Sequence, residues 1–386
     1  MNVIFSAFAP LRVIIGDLLW CQSSLERLKV GIVRLSILTA GSTYIVVVGG
    51  IRHLMLLRTS NLRSTGQRCN IATRSRMAQA TRVFCRNFSS SSTKFGNIKH
   101  VTVIGAGLMG AGIAQVAAST GHHVVMVDQT DDILTKSKAN IEKSLQRVVK
   151  KKFADNPKAG ETFIAEVMGR LTTKTDAAAA VKNTDLVIEA IVENLEVKKK
   201  LFSSLDKAAP KHTIFTSNTS SIPIKDIAVA TQRQDRFGGL HFFNPVPVMK
   251  LLEVIRFPAT SDETFNRLLG FGKAMDKSTV NCKDTPGFIV NRLLVPYMME
   301  AIRMVERGEA SPQDVDTAMK LGAGYPMGPF ELTDYVGLDT CKFIIDGWHK
   351  KYPDNPLFMP SPLLDKLVSE GKLGNKTGEG FYKQKK

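Results

Sequence analysis

Cysteine is scarce in this sequence: five in 386 residues, with Cys21, Cys69 and Cys85 before residue 100 and Cys282 and Cys341 after it. No CxxC pair and no even-numbered framework is present, so neither a metal site of the zinc kind nor a disulfide scaffold is supported, and a reducing interior is the simplest home. Acidic residues are scarce in the N-terminal region, where residues 1–100 hold 14 Lys or Arg against Asp17 and Glu26 alone. The formal charge of +17 resembles a nucleic-acid signal until it is divided along the chain: residues 101–386 carry 38 basic and 33 acidic residues. That is an ordinary enzyme surface, mildly attractive to an anionic substrate. No base-reading module accompanies the charge, so no nucleic-acid partner is expected.

A long apolar run is lacking too. The stretch Leu35–Ile51 has 17 residues without a charge, at the lower limit for a membrane span, and Gly41, Ser42, Thr43, Gly49 and Gly50 interrupt it. A signal anchor is one reading; an upstream extension, residues 1–76, is preferred, and no stable membrane insertion is expected. From Met77 the chain reads MAQATRVFCRNFSSSSTKFGNIKH, with Arg82, Arg86, Lys94 and Lys99, a Ser89–Ser92 run and no acid. Arg- and Ser-rich, acid-poor N-termini have the composition of mitochondrial transit peptides, so 77–97 is read as one and the mitochondrial matrix as the destination.

The first convincing strand is His100–Ile104. Gly105-Ala106-Gly107-Leu108-Met109-Gly110 follows at once, then a helical run ended by Gly121. A lone GxGxxG is weak, but its mechanism requires this strand-to-helix context. Gly105 permits the tight turn, Gly107 lets the backbone approach a pyrophosphate, Gly110 lets helix and sheet pack closely, and the pyrophosphate rests on the helix N-terminus. The next strand, His123–Val127, ends in Asp128, whose carboxylate suits ribose hydroxyls and repels a 2′-phosphate, favouring NAD over NADP. An apolar strand is expected over Asp185–Val192, with Glu193 and Lys198 where open α/β sheets place ligands; surface charges explain these two equally well. The helical pattern Ile133–Lys152 carries many lysines, by default a solvated face.

Three features of residues 213–255 make sense together. TIFTSN leads to Thr219-Ser220-Ser221, FGGL leads to His241-Phe-Phe-Asn244-Pro-Val-Pro, and the apolar Val248–Ile255 holds one acid, Glu253. An unpaired buried carboxylate is costly. Two adjacent segments across a loop stiffened by Pro245 and Pro247 can bring Glu253 to His241, which satisfies the acid and gives the imidazole an orienting partner, as a general base needs. Oxidising a secondary alcohol with NAD requires such a base while the cofactor carries the electron chemistry.

VIGAGLMGAGIA, SNTSS at 217–221, HFFNPVPVMKLLEVI at 241–255 and KDTPGFIVNRLL at 283–294 together resemble the short-chain L-3-hydroxyacyl-CoA dehydrogenases of mitochondrial β-oxidation, over about 98 to 385. The resemblance implies a Rossmann-type NAD-binding α/β domain over 98–286 and a smaller all-helical domain over 287–386 that closes over the acyl-CoA substrate and forms a homodimer. It implies that His241 is the catalytic base and Glu253 its carboxylate, that Ser220 and Asn291 lie near the reacting oxygen, and that Asn244 supports the site. Gly105 to Gly110, Asp128, Glu193, Lys198, Ser220 and Lys376 correspond to NAD contacts. Ser144, Lys151 and Ser220 correspond to substrate contacts, the first two with the CoA portion.

From the residues alone, Phe288–Glu306 is a helix with Val290, Leu293, Leu294, Tyr297, Ala301, Met304 and Val305 on one apolar stripe. Ser311-Pro312 supplies an N-cap and a first-turn proline for the next helix. The rival readings are an enzyme of the same fold acting on a smaller hydroxy acid, and a non-catalytic relative, which would be expected to lack His241, Glu253 or Asn291.

Overall fold

The computed structural model describes three short strands near the N-terminus and residues 98–383. The strands β1 (Leu35–Ala40), β2 (Thr43–Val48) and β3 (Met55–Leu57) form an antiparallel sheet in the order β1-β2-β3. The uncharged stretch Leu35–Ile51 therefore holds a strand pair, with Leu35 opposite Val48 and Ala40 opposite Thr43. Among the described residues no helix is long and apolar enough to cross a membrane. The segment 77–97, read as a transit peptide, lies outside the described residues.

Residues 91–386 form a separate compact unit. Its sheet is built from β4 (His100–Ile104), β5 (His123–Val127), β6 (Leu171–Lys174), β7 (Leu186–Glu189), β8 (Ile214–Ser217), β9 (Phe237–Phe242), β10 (Leu251–Arg256) and β11 (Ser278–Lys283). The order is β11-β10-β9-β8-β7-β4-β5-β6. The six strands from β6 to β9 are mutually parallel, while β10 runs antiparallel to β9 and pairs in parallel with β11. Read from β4, the parallel strands have the doubly wound order 3-2-1-4-5-6, whose direction of travel reverses between β4 and β7.

Helices cover both faces. On one side α1 (Leu108–Ser119), α2 (Asp131–Lys152), α3 (Pro157–Gly169) and, later in the chain, α7 (Asp262–Ala274) bury Ile113, Ile141, Val167 and Phe271 against Val103, Met126, Ile188 and Leu240. The other side takes the single turn α4 (Ala177–Ala180), α5 (Leu195–Ala208) and α6 (Ile224–Ala228), which pack Ala180, Phe202 and Ile227 onto Ile104, Val187 and Phe215. Neighbouring strand residues thus feed opposite cores, as the two-residue pleat demands, and strands covered on both faces are apolar throughout.

Beyond Gly287, α8 (Val290–Glu306), α9 (Pro312–Ala323), α10 (Pro329–Val336), α11 (Leu338–Lys351) and α12 (Pro362–Ser369) enclose a third core. Ser311 caps α9 by accepting the Asp314 N–H, as expected. The apolar stripe expected on α8 meets the third core only in part: Ala301 is buried and Leu294, Tyr297 and Val305 pack against that core, beside Val295, Met298, Met299 and Ile302 from outside the stripe, whereas Leu293 is 70% exposed and Val290 and Met304 are only partly covered. This helix is apolar on more than one face, so periodicity alone identified only part of the side facing its own core. The strand expected over Asp185–Val192 ends at Glu189, because the Glu189 carboxylate accepts the Ile191 N–H at 2.7 Å and turns the chain out of the ladder.

Candidate active site

The glycine turn sits at the carboxyl end of β4, where the strand order reverses. Gly105 has φ +102°, and a Cβ on it would lie 2.4 Å from the carbonyl oxygen of Ala190 at the end of β7. A Cβ on Gly110 would lie 1.7 Å from the Gly105 carbonyl oxygen, so only glycine lets α1 start this close to the strand. Gly107 differs: a Cβ there would meet no protein atom within 4 Å. The protein's own packing therefore does not require glycine here, and the position is open to a close-approaching ligand. No side chain caps the N-terminus of α1 and its first turn holds no acid, which leaves donors and positive dipole for a phosphate. Asp128, at the end of β5, accepts the Ala106 N–H at 2.6 Å and the Gln129 N–H at 2.7 Å, so the carboxylate expected to meet a ribose secures the turn. Leu108 and Val192 stand 73% and 65% exposed at the ends of this crevice. The donor set and the open position at Gly107 fit a dinucleotide.

A buried charge cluster braces the next strand ends. Lys198, 1% exposed, donates to Glu189 at 2.6 Å and lies 3.2 Å from Glu193. Glu189 also accepts the Ser217 hydroxyl at 2.6 Å. Glu193 Oε1 accepts the Thr219 hydroxyl, the backbone N–H groups of Ser220 and Ser221, and the Ser221 hydroxyl, at 2.5 to 3.2 Å. Burial pushes the Glu193 carboxyl up, but the Lys198 charge and the hydroxyl donors outweigh it and hold the group below the ordinary carboxylate value. The two charges that the sequence left between ligand contact and surface decoration are thus both engaged: Lys198 is sealed beneath the loop, and the partly exposed Glu193 holds that loop. The Ser220 hydroxyl bonds to no described residue, while its backbone is fixed.

His241 and Glu253 are direct partners across the β9–β10 ladder. The imidazole Nδ1 lies 2.7 Å from Glu253 Oε2, and the two residues are 5% and 0% exposed. Glu253 Oε1 accepts the backbone N–H groups of Ile289 and Val290 at 3.0 and 2.9 Å. A carboxylate can only accept, so the imidazole proton is on Nδ1 and the Nε2 lone pair is left to take a proton. Phe243 and Phe288 pack on the ring at centroid distances of 4.6 and 5.5 Å. Asn218 Oδ1 accepts the Phe242 N–H at 2.8 Å, which ties the serine loop to the strand carrying the base.

The other expected residues are placed less tightly. Asn291 is half-buried in the first turn of α8, next to the N–H groups that hold Glu253, and its amide bonds to no described residue. Asn244 is exposed on the loop after β9. Ser144 and Lys151 lie two turns apart on one side of α2, half-buried and exposed respectively. Lys376 is engaged in the helical domain, at 2.7 and 3.0 Å from the Asp339 carboxylate and 2.9 Å from the Thr340 hydroxyl, and makes no bond to the glycine turn.

The sequence reading missed four contributors. Glu189, Thr219 and Asn218 organise the loop that presents Ser220. Lys277, 8% exposed, donates to the carbonyls of Val246 and Met249 at 2.5 and 2.8 Å and holds the loop between β9 and β10, whose Val246 lies against Gly112 of α1. Only Glu189, an acid in an otherwise apolar strand, gave a signal of the kind that singled out Glu253.

Comparisons with known proteins place this fold in a family. The family model described as 3-hydroxyacyl-CoA dehydrogenase, NAD binding domain, matches residues 100–285, and the C-terminal domain of the same family matches 287–384. The chain is 67% identical over 314 residues to the human protein named hydroxyacyl-coenzyme A dehydrogenase, mitochondrial, covering 80% of this chain and 100% of that one. It is 58% identical to a probable 3-hydroxyacyl-CoA dehydrogenase of Caenorhabditis elegans, over 77% of this chain and 96% of the relative. The crystal structure of (S)-3-hydroxybutyryl-CoA dehydrogenase from Ralstonia eutropha is similar with TM-score 0.71 and 41% identity, over 75% of this chain and 100% of that one. With two family domains matched end to end across a doubly wound NAD-binding sheet and its helical partner, the chain belongs to the 3-hydroxyacyl-CoA dehydrogenase family.

Proposed function

We propose that the protein oxidises the 3-hydroxyl of (S)-3-hydroxyacyl-CoA thioesters to the 3-oxo form in fatty acid β-oxidation, with NAD as hydride acceptor. The observation that carries this reading is the buried His241–Glu253 pair with Nε2 left unbonded. His241 Nε2 takes the hydroxyl proton as the C–H bond gives up its hydride. Glu253, ionised and held by two backbone donors, stabilises the imidazolium through Nδ1–H. Bound NAD supplies the hydride acceptor. Gly105 to Gly110, Asp128, Glu193, Lys198 and Lys376 serve its binding, directly or by bracing its neighbours. Ser220 and Asn291, whose polar groups are unspent, hold the substrate oxygen and thioester region, with Asn244 supporting.

The CoA portion runs along α2 past Ser144 toward Lys151, where the last turn carries Lys150, Lys151 and Lys152. Residues 98–286 act as the NAD-binding domain and 287–386 as the domain that closes over substrate and pairs two copies. Support for pairing is the apolar surface that this domain leaves open, with Leu293 and Leu321 70% and 83% exposed beside the stacked Tyr297 and Tyr325. Residues 77–97 act as a mitochondrial transit peptide, 1–76 being an upstream extension, and the enzyme works in the matrix, in line with the names of its mammalian relatives.

The test is oxidation of NADH by acetoacetyl-CoA, followed by loss of NADH absorbance, beside acetoacetate without the CoA group. Turnover only of the thioester is expected, and no turnover overturns the reading. His241→Ala should lower kcat by about 10²–10⁴-fold.

A further inference from the structure

Phe288 occupies the junction between the sheet domain and the helical domain with φ +53°, a left-handed backbone that a bulky side chain rarely adopts. Among the described residues only Asp276 shares this feature outside glycine. Gly287 before it has φ +72°, and a Cβ there would strike the Trp348 ring at 2.5 Å, so the chain crosses the junction through two successive left-handed residues. Such strain persists where the surroundings fix it, and it concentrates at functional sites.

What this turn delivers is specific. The next two residues point their N–H groups at Glu253 Oε1. The Phe288 ring, 5% exposed, lies 5.5 Å from the His241 imidazole with the planes at 57°. One residue therefore acts on both halves of the pair: its side chain packs on the imidazole, and its backbone aims the Ile289 and Val290 donors that hold the carboxylate. Glu253 in turn supplies the acceptor that the start of α8 lacks, since no side chain of its own caps that helix.

We propose that Phe288 is a positioning residue for the base, its ring fixing the plane of His241 while its left-handed backbone registers the helical domain on Glu253. If the ring merely filled core space, leucine would replace it at no catalytic cost, and glycine would relieve the backbone without touching chemistry.

The experiment uses Phe288→Gly, Phe288→Leu and Phe288→Tyr in the full chain, with kcat, both KM values and the primary deuterium isotope effect on kcat for 3-deuterated 3-hydroxybutyryl-CoA. Glycine accepts the left-handed backbone, so it keeps the donors on Glu253 and removes only the ring. The expected result for Gly and Leu is a fall in kcat of about 10- to 100-fold, the scale of a misplaced reacting group. KM values should hold within about threefold, the isotope effect should rise as the chemical step becomes limiting, and Tyr should restore turnover. Wild-type kcat and isotope effect in Gly and Leu overturn the proposal; if Gly does not fold, Leu against Tyr decides in the same way. The inference rests on His241 being the base, so His241→Ala is measured alongside. Normal turnover there removes that reading itself, whereas loss there with normal Leu and Gly variants overturns only the role of Phe288.

Discussion

Glu253 sits opposite His241 in the β9–β10 register, and the carboxylate that takes the Nδ1–H of the imidazole also takes the first N–H groups of α8. The strand pair that makes the base is thereby bonded to the helical domain. Glu253→Gln keeps the shape but replaces an ionised acceptor by a neutral amide that no longer selects the Nδ1–H tautomer or stabilises the imidazolium. The expected loss in kcat is about 10²–10⁴-fold, with NADH affinity unchanged by fluorescence titration.

The glycines of the turn should separate by experiment. Gly107→Ala meets no protein atom, so the variant should melt with the wild type yet bind NADH about tenfold more weakly, a change of about 1.4 kcal/mol. Gly110→Ala drives a methyl group into the Gly105 carbonyl and should lose about 1–3 kcal/mol of stability in denaturant titrations. Equal effects on stability would contradict the assignment of Gly107 to ligand approach.

Glu193 gives a pH signature. Burial works to raise its carboxyl, but Lys198, Thr219 and Ser221 hold it below the ordinary value. A depressed carboxyl contributes stability that is complete above the unfolded value of about 4.3 and is lost as pH falls through the lower folded value. The stability difference between wild type and Glu193→Gln should therefore be largest near pH 7 and should close as the pH approaches 3 in urea titrations.

Lys277 is held below the ordinary lysine value, first by burial and then by the charge of Lys250, although two carbonyls claim its donors. Lys277→Met fits the same space and leaves both carbonyls without their partner, at a cost of about 1–3 kcal/mol. Because Val246 lies against α1, the variant should also raise the Kd for NADH, which isothermal titration would read.

Both described cysteines should be inert in the native protein. Burial, then the Glu253 charge, pushes the Cys282 thiol up to about 12, and burial with the Asp339 charge does the same for Cys341. Iodoacetamide at pH 8 followed by peptide mapping should leave both unmodified until denaturant is added; rapid native labelling would contradict their burial.

The local features were legible in the sequence because each depends on residues a few positions apart. A glycine turn between strand and helix, an acid at the end of the second strand, and a proline-stiffened loop between His241 and Glu253 have fixed spacings, and physical chemistry at those spacings admits few meanings. The chain also declared its two fold classes, since strands buried on both faces read differently from helices.

What the tertiary structure alone decided were contacts between distant segments. The register of β10 on β9 puts Glu253, rather than a neighbour one residue away, opposite His241. The junction at 287–290 returns to cap that same acid, and Lys277 reaches back over more than 25 residues to the loop after the base. Lys198 is sealed under the serine loop, where the residues alone left ligand contact and surface charge equally open. The α8 stripe shows the limit most plainly: an amphipathic period found part of the core-facing side, but how far each face meets the core is set by the helices packed around it.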